Sequence, residues 1–190
     1  IRSYLTSEFG INYAGYWEAM IRLSGGYLML VTTTLGVYYL PRLSELSAIS
    51  DIKKEVYLGY KLIFPLALLG ALFVYILRDW IIAILFTDLF LPMRDLFLWQ
   101  MIGNSLKIGS WILAYLMLSK AMTKLFIITE IIFASTLVGL TYICTKLFGF
   151  EGVSIAYLLN YAMYWIVMGL FVFRILKENQ YIDVENNLIK

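Results

Sequence analysis

Lys107 is the residue whose position most demands a chemical reason. It lies about a dozen residues into the run 96–119, which carries no other charge. A charge at the centre of an apolar membrane helix costs ~2.5–3.5 kcal/mol on insertion scales, so it usually faces a bundle interior or a wet cavity. Gln100, Asn104, Lys107 and Trp111 follow one another at spacings of 4, 3 and 4, which puts them on one helical face. The chemistry on offer is a cation in a hydrophilic cavity that meets an anionic substrate. The plainer alternative is a structural pair, or a lysine whose head snorkels to the boundary, which is far to reach from this depth.

Three further groups belong to the same question. Glu18, Arg22, Gly25, Met29, Thr33 and Gly36 fall within a narrow arc at 3.6 residues per turn. Glu18 and Arg22 stand four apart in the favourable order. They read either as the mouth of a cavity, where Arg22 offers a bidentate fork to phosphate, or as an interfacial ion pair above a small-residue packing face. Glu130, about one turn into the run 125–145, is a coupling or ion-pair partner for Lys107, a proton carrier, or a boundary residue near Lys124. Tyr157, Asn160, Tyr161 and Tyr164 form a row that could stack on sugars but more often packs helices. The candidate substrate-binding residues are therefore Lys107, Asn104, Gln100, Arg22 and Glu18.

Enzyme chemistry finds little to use. Histidine is absent, and with it the commonest metal ligand and general base. The single cysteine, Cys144, sits in an apolar run and reads as a small buried hydrophobe. No phosphate-cradling glycine loop or nucleophile elbow occurs. The longest loop expected, about twenty residues from Arg42 to Lys61, is too short for a catalytic domain. No catalytic residue, metal or cofactor is expected. The net charge of +2 gives no reason to expect nucleic acid as a partner.

The elements that must position these residues follow from composition. The chain is 62% hydrophobic and 15% charged, with a mean hydropathy of +0.80; soluble domains are roughly 45–50% apolar and about 25% charged. A chain of 190 residues cannot hide that excess from water in one core. Its 15 tyrosines and 5 tryptophans suit the membrane boundary. The expected fold is an all-α polytopic bundle of about five spans, at residues 13–41, 62–77, 96–119, 125–145 and 153–173. The segment 80–86 is too short to cross, and is either the end of a tilted helix or a helix lying in the interface. Residues 1–177 form the transmembrane lobe and 178–190 a tail. Five Lys and Arg lie on the side of residue 1 and nine on the other, which places the C-terminus in the cytoplasm. The chain opens with Ile1 rather than Met and reads as a piece of something longer.

Certain segments also carry a resemblance. Tyr39-Leu40-Pro41-Arg42-Leu43-Ser44-Glu45-Leu46 and Phe148-Gly149-Phe150-Glu151-Gly152-Val153 resemble segments of the MOP exporter superfamily. Leu77-Arg78-Asp79-Trp80, Met93-Arg94-Asp95-Leu96-Phe97-Leu98-Trp99-Gln100, Leu106-Lys107-Ile108-Gly109 and Lys120-Ala121 are more specific. Together they are similar to the Wzx-type lipid-linked oligosaccharide flippases of enterobacterial common antigen and O-antigen biosynthesis. The resemblance runs from about Tyr13 to Phe173. It implies the last five helices of the second of two six-helix lobes, with residues 1–9 ending the helix before them. It implies a bacterial inner-membrane location and, as substrate, an oligosaccharide linked to undecaprenyl pyrophosphate. Lys107 matches a lysine of that pattern, whereas Arg22 matches no basic residue. The implied partners are the lipid-linked oligosaccharide, membrane lipids, the missing N-terminal lobe or another lobe, and polysaccharide polymerase and chain-length proteins. A multidrug or cation antiporter of the same superfamily and a non-transporting half-lobe remnant remain the alternatives. A lone lobe would leave its polar stripes facing lipid, so this chain by itself is not expected to transport.

Overall fold

The computed structural model describes the backbone of residues 1–188 and the side chains of residues 1–177. Hydrocarbon leaves backbone N–H and C=O groups no partner but one another, so helices are the local solution for runs this apolar. The chain is an all-α polytopic membrane bundle, with no strand among the described residues. Helix α1 spans Arg2–Phe9, and Gly10 then reverses the chain at φ 97°. That left-handed angle favours glycine. Helix α1 folds back along α2, where Arg2 reaches Glu18 at 3.1 Å.

From Ile11 to Glu45 the chain is one helical stretch made of α2 (Ile11–Thr34), a π-helical turn (Leu35–Tyr39) and α3 (Leu40–Glu45). Pro41 supplies no N–H to the helical ladder, and the wider turn before it takes up the mismatch. The helix therefore runs through Pro41 and stops at Leu46, whose backbone is extended. Helix α4 follows at Ile49–Ile76. Residues 42–61 are thus not a loop: only 46–48 lie outside helix. Charge made that stretch look irregular, but charged turns are stable helix where they meet water and pair along one face, as Asp51 and Lys54 do at 3.5 Å.

Leu77 separates α4 from α5 (Arg78–Leu85), a distinct short helix over the segment expected to be too short to cross. A 3₁₀ stretch, Asp88–Leu96, returns the chain, with Phe86 stacked on Phe90 at 5.1 Å and Arg94 on Asp79 at 3.0 Å. Helix α6 (Phe97–Ser119) is the central element and packs against α2, α3, α4 and α8. Helix α7 (Thr123–Phe148) leads through a short 3₁₀ turn at Gly149–Glu151 into α8 (Gly152–Leu188). The expected tail, 178–190, lies outside the residues whose side chains are described.

Four helical stretches among the described residues are long and apolar enough to cross a membrane: Ile11–Glu45, Ile49–Ile76, Asp88–Ser119 and Thr123–Lys177. The last is 55 residues, about 80 Å if straight at 1.5 Å per residue. It doubles back at Gly149 (φ 65°), and the rings of Phe133 and Tyr164 meet at 4.8 Å across the hairpin. Helices α7 and α8 are therefore two antiparallel helices rather than one.

Candidate functional site

Helices α6 and α8 approach closely because α6 has no side chain where α8 is bulkiest. A Cβ on Gly103 would stand 2.5 Å from the Tyr157 ring and 3.3 Å from the backbone of Leu158. This contact lays Tyr157 and Tyr161, one turn apart on α8, over the α6 face that carries Lys107.

The Lys107 ammonium lies among three aromatic rings. Nζ is 4.9 Å from the centroid of Trp111, one turn along α6, 4.7 Å from Tyr161 and 5.7 Å from Tyr157. Each lies within the ~6 Å at which a ring face attracts a cation, a contact worth roughly 0.5–2 kcal/mol. Rings stabilise the charge without neutralising it. Among the described residues no carboxylate pairs with Lys107 within 4.0 Å. The residue is half-buried, so its ammonium nitrogen stands mid-span without being sealed off.

Gln100 and Asn104 share the stripe but not the opening, for both are completely buried. The Asn104 carbonyl oxygen accepts from the Tyr157 hydroxyl at 3.0 Å, and its amide donates to Ser24 Oγ at 3.2 Å. Asn104 thereby joins α2, α6 and α8. Gln100 Oε1 accepts from Ser154 Oγ at 3.2 Å, and its Nε2 has no protein partner. Both residues fix the helices around Lys107 and, in this conformation, spend their acceptors on protein.

Glu18 and Arg22 stand apart from this group. Glu18 binds Arg22 at 2.9 Å and Arg2 at 3.1 Å, and Arg22 is exposed. The three make a charged cluster toward the α1 end of the bundle. Glu130, exposed on α7, accepts a 2.6 Å hydrogen bond from Tyr164 Oη. It forms no ion pair with Lys107 within 4.0 Å. At the opposite end of the bundle Lys120 Nζ donates to the carbonyls of Leu43 and Leu46, which otherwise end α3 without partners. Burial pulls the Lys120 ammonium below the usual lysine range.

Spacing alone does not reveal Ser24 and Ser154, because a small hydroxyl matters only when a neighbour is brought within reach. Tyr157 and Tyr161 do carry a signal, since they share one face of their own helix. A second aromatic lock, in which Trp165 Nε1 donates to Tyr60 Oη at 2.8 Å and Tyr60 donates to the Gly109 carbonyl at 2.7 Å, ties α4 to α6 and α8. Among the described residues no cluster of three His, Cys, Asp or Glu could hold a metal ion.

Comparison with known proteins finds the lipid III flippases of Escherichia coli (strain K12) and Shigella flexneri. Each is 32% identical to this chain over 165 residues, which is 87% of the chain and 40% of the relative. The chain thus spans 40% of the length of the curated relatives it matches. No protein-family profile matches it, and no solved structure does.

Proposed function

We propose that this chain, a homologue of the lipid III flippases, is the C-terminal lobe of a transporter that carries an undecaprenyl-pyrophosphate-linked oligosaccharide across the bacterial inner membrane. The pathway is surface polysaccharide assembly, with enterobacterial common antigen or O-antigen as product. The similarity over 87% of the chain carries the reading. Lys107 agrees with it physically. The barrier to such a step is the cost of taking pyrophosphate and sugar hydroxyls out of water. A mid-span ammonium held by rings rather than by a carboxylate offsets part of that cost, because its charge is not already spent. Half-burial strengthens the attraction relative to water. The C-terminal end of the chain is cytoplasmic in this arrangement, a second lobe completes the transporter, and the partners are the lipid-linked glycan and the proteins that polymerise it.

The test is Lys107→Ala in the full-length protein, with surface glycan as the readout. Export is expected to fall at unchanged protein level, and normal export at normal expression would remove Lys107 from the mechanism. One observation favours the cation-coupled antiporter instead: Glu130 is exposed on α7 and held by Tyr164, as a proton-carrying carboxylate would be.

A further inference from the structure

A groove of about 1660 Å³ runs between α2 and α4, away from Lys107. Leu30, Leu62, Leu66 and Phe73 line it, with Gly26 and Gly70 in its floor. The two helices are held at a set distance by tyrosines laid on glycines. The Tyr27 ring lies on Gly70 and its hydroxyl donates to the Ala67 carbonyl, while the Tyr39 ring lies 3.1 Å from where a Gly59 side chain would begin. Such spacers keep the groove open.

Its length and its ends indicate what fits. Arg22 stands at one mouth and Arg42 at the other. They are 20 residues apart on one helical stretch, which at ~1.5 Å per residue is about 30 Å, the thickness of a bilayer's hydrocarbon core. A phospholipid acyl chain belongs to one leaflet, so it reaches only about half of that. A single longer chain uses all of it. Arg42 pairs loosely with Glu45 and Glu55, both at 3.7 Å, which leaves its fork able to take a phosphate. The Tyr39 hydroxyl, against Gly59 of α4, is buried without a hydrogen-bond partner.

We propose that this groove binds the tail of a polyisoprenyl phosphate, with the phosphate at the Arg42 mouth. The inference rests on the reading above that the protein handles a polyprenyl-linked lipid, and it adds where the tail goes.

The test uses the full-length protein in detergent, titrated with undecaprenyl monophosphate or phosphatidylglycerol and followed by native mass spectrometry. Undecaprenyl phosphate is expected to bind at one site and more tightly than phosphatidylglycerol. Gly26 lines the groove, and nothing lies within 4 Å of where a side chain there would begin, so a Cβ is accommodated at this position. Gly26→Phe and Leu66→Trp are each expected to weaken binding at least about tenfold, or ~1.4 kcal/mol. Leu170→Trp, at an exposed position on α8 outside the groove, leaves binding unchanged. Equal affinity for the two lipids, or wild-type binding by both groove-filling variants, overturns the proposal. Lys107→Ala separates the two readings: it is expected to lose export yet keep this binding. Normal export by that variant, with binding still lost in Gly26→Phe, overturns the role of Lys107 and leaves the groove standing.

Discussion

Replacing Asn104 by Ala tests whether the polar residues of α6 hold the site together. Asn104 makes two hydrogen bonds across helices, to Tyr157 at 3.0 Å and to Ser24 at 3.2 Å. Interhelical hydrogen bonds in membranes average about 0.6 kcal/mol and reach about 1.7, so two are worth roughly 1–3 kcal/mol. The Tyr157→Phe variant removes one of them and keeps the ring that faces Lys107. A double-mutant cycle isolates that bond, with an expected coupling of about 0.6–1.7 kcal/mol. The assay is SDS-induced unfolding of the purified full-length protein, reported by tryptophan fluorescence, alongside glycan export. Tyr157→Phe should export close to normally, because the ring stays over Lys107. Asn104→Ala should lose more, because the ring is no longer anchored. Additivity of the two substitutions within ~0.3–0.5 kcal/mol would refute the coupling, and equal export by both variants would refute the positioning role.

Three further substitutions probe other parts of the bundle. A Cβ on Gly152 would stand 2.2 Å from the Cys144 carbonyl oxygen, a main-chain atom that cannot step aside, so Gly152→Ala should cost at least about 1–3 kcal/mol by overpacking and lower the melting temperature; an unchanged melt would show that the α7–α8 crossing is looser than described. Lys120→Met removes both donors to the end of α3, and thiol labelling at a cysteine introduced for Ser47 should quicken; equal rates would mean that the contact does not hold the turn. Glu130→Gln keeps an acceptor for Tyr164, so stability should change by less than about 1 kcal/mol and export should persist. Loss of export in that variant would move the coupling chemistry to Glu130.

Some of this was legible in the sequence and some was not, for physical reasons. Membrane character and helices follow from apolar runs alone, since lipid permits little else. The stripe through Lys107 was legible because a helical face depends on one element. What Lys107 meets depends on two, and the row at Tyr157 and Tyr161 does not say which helix it will face. The selection is made by Gly103, whose missing side chain lets α8 in. Hydrogen-bonding capacity at Gln100 and Asn104 was equally plain, but a buried amide and a cavity amide look alike until Ser154 and Ser24 arrive. The stretch 42–61 is polar yet helical apart from 46–48, because polarity does not make a segment irregular. Hydropathy finds where a helix is in lipid and says nothing of where it continues into water.

The π turn at Leu35–Tyr39 has a consequence for how such a chain can vary. There the N–H of Leu40 reaches the carbonyl of Leu35, one residue further back than in a regular helix. The turn therefore carries one residue more than the ladder requires. Deleting a single residue elsewhere in α2 rotates everything beyond it by about 100° and swings the faces of α3 out of phase with their contacts. Deleting one within 35–39 restores a regular ladder, so the cost falls on Pro41 and the residues just beyond it. Length differences of one residue among related chains are accordingly expected to gather in this turn, where the helix can gain or lose a residue without being broken.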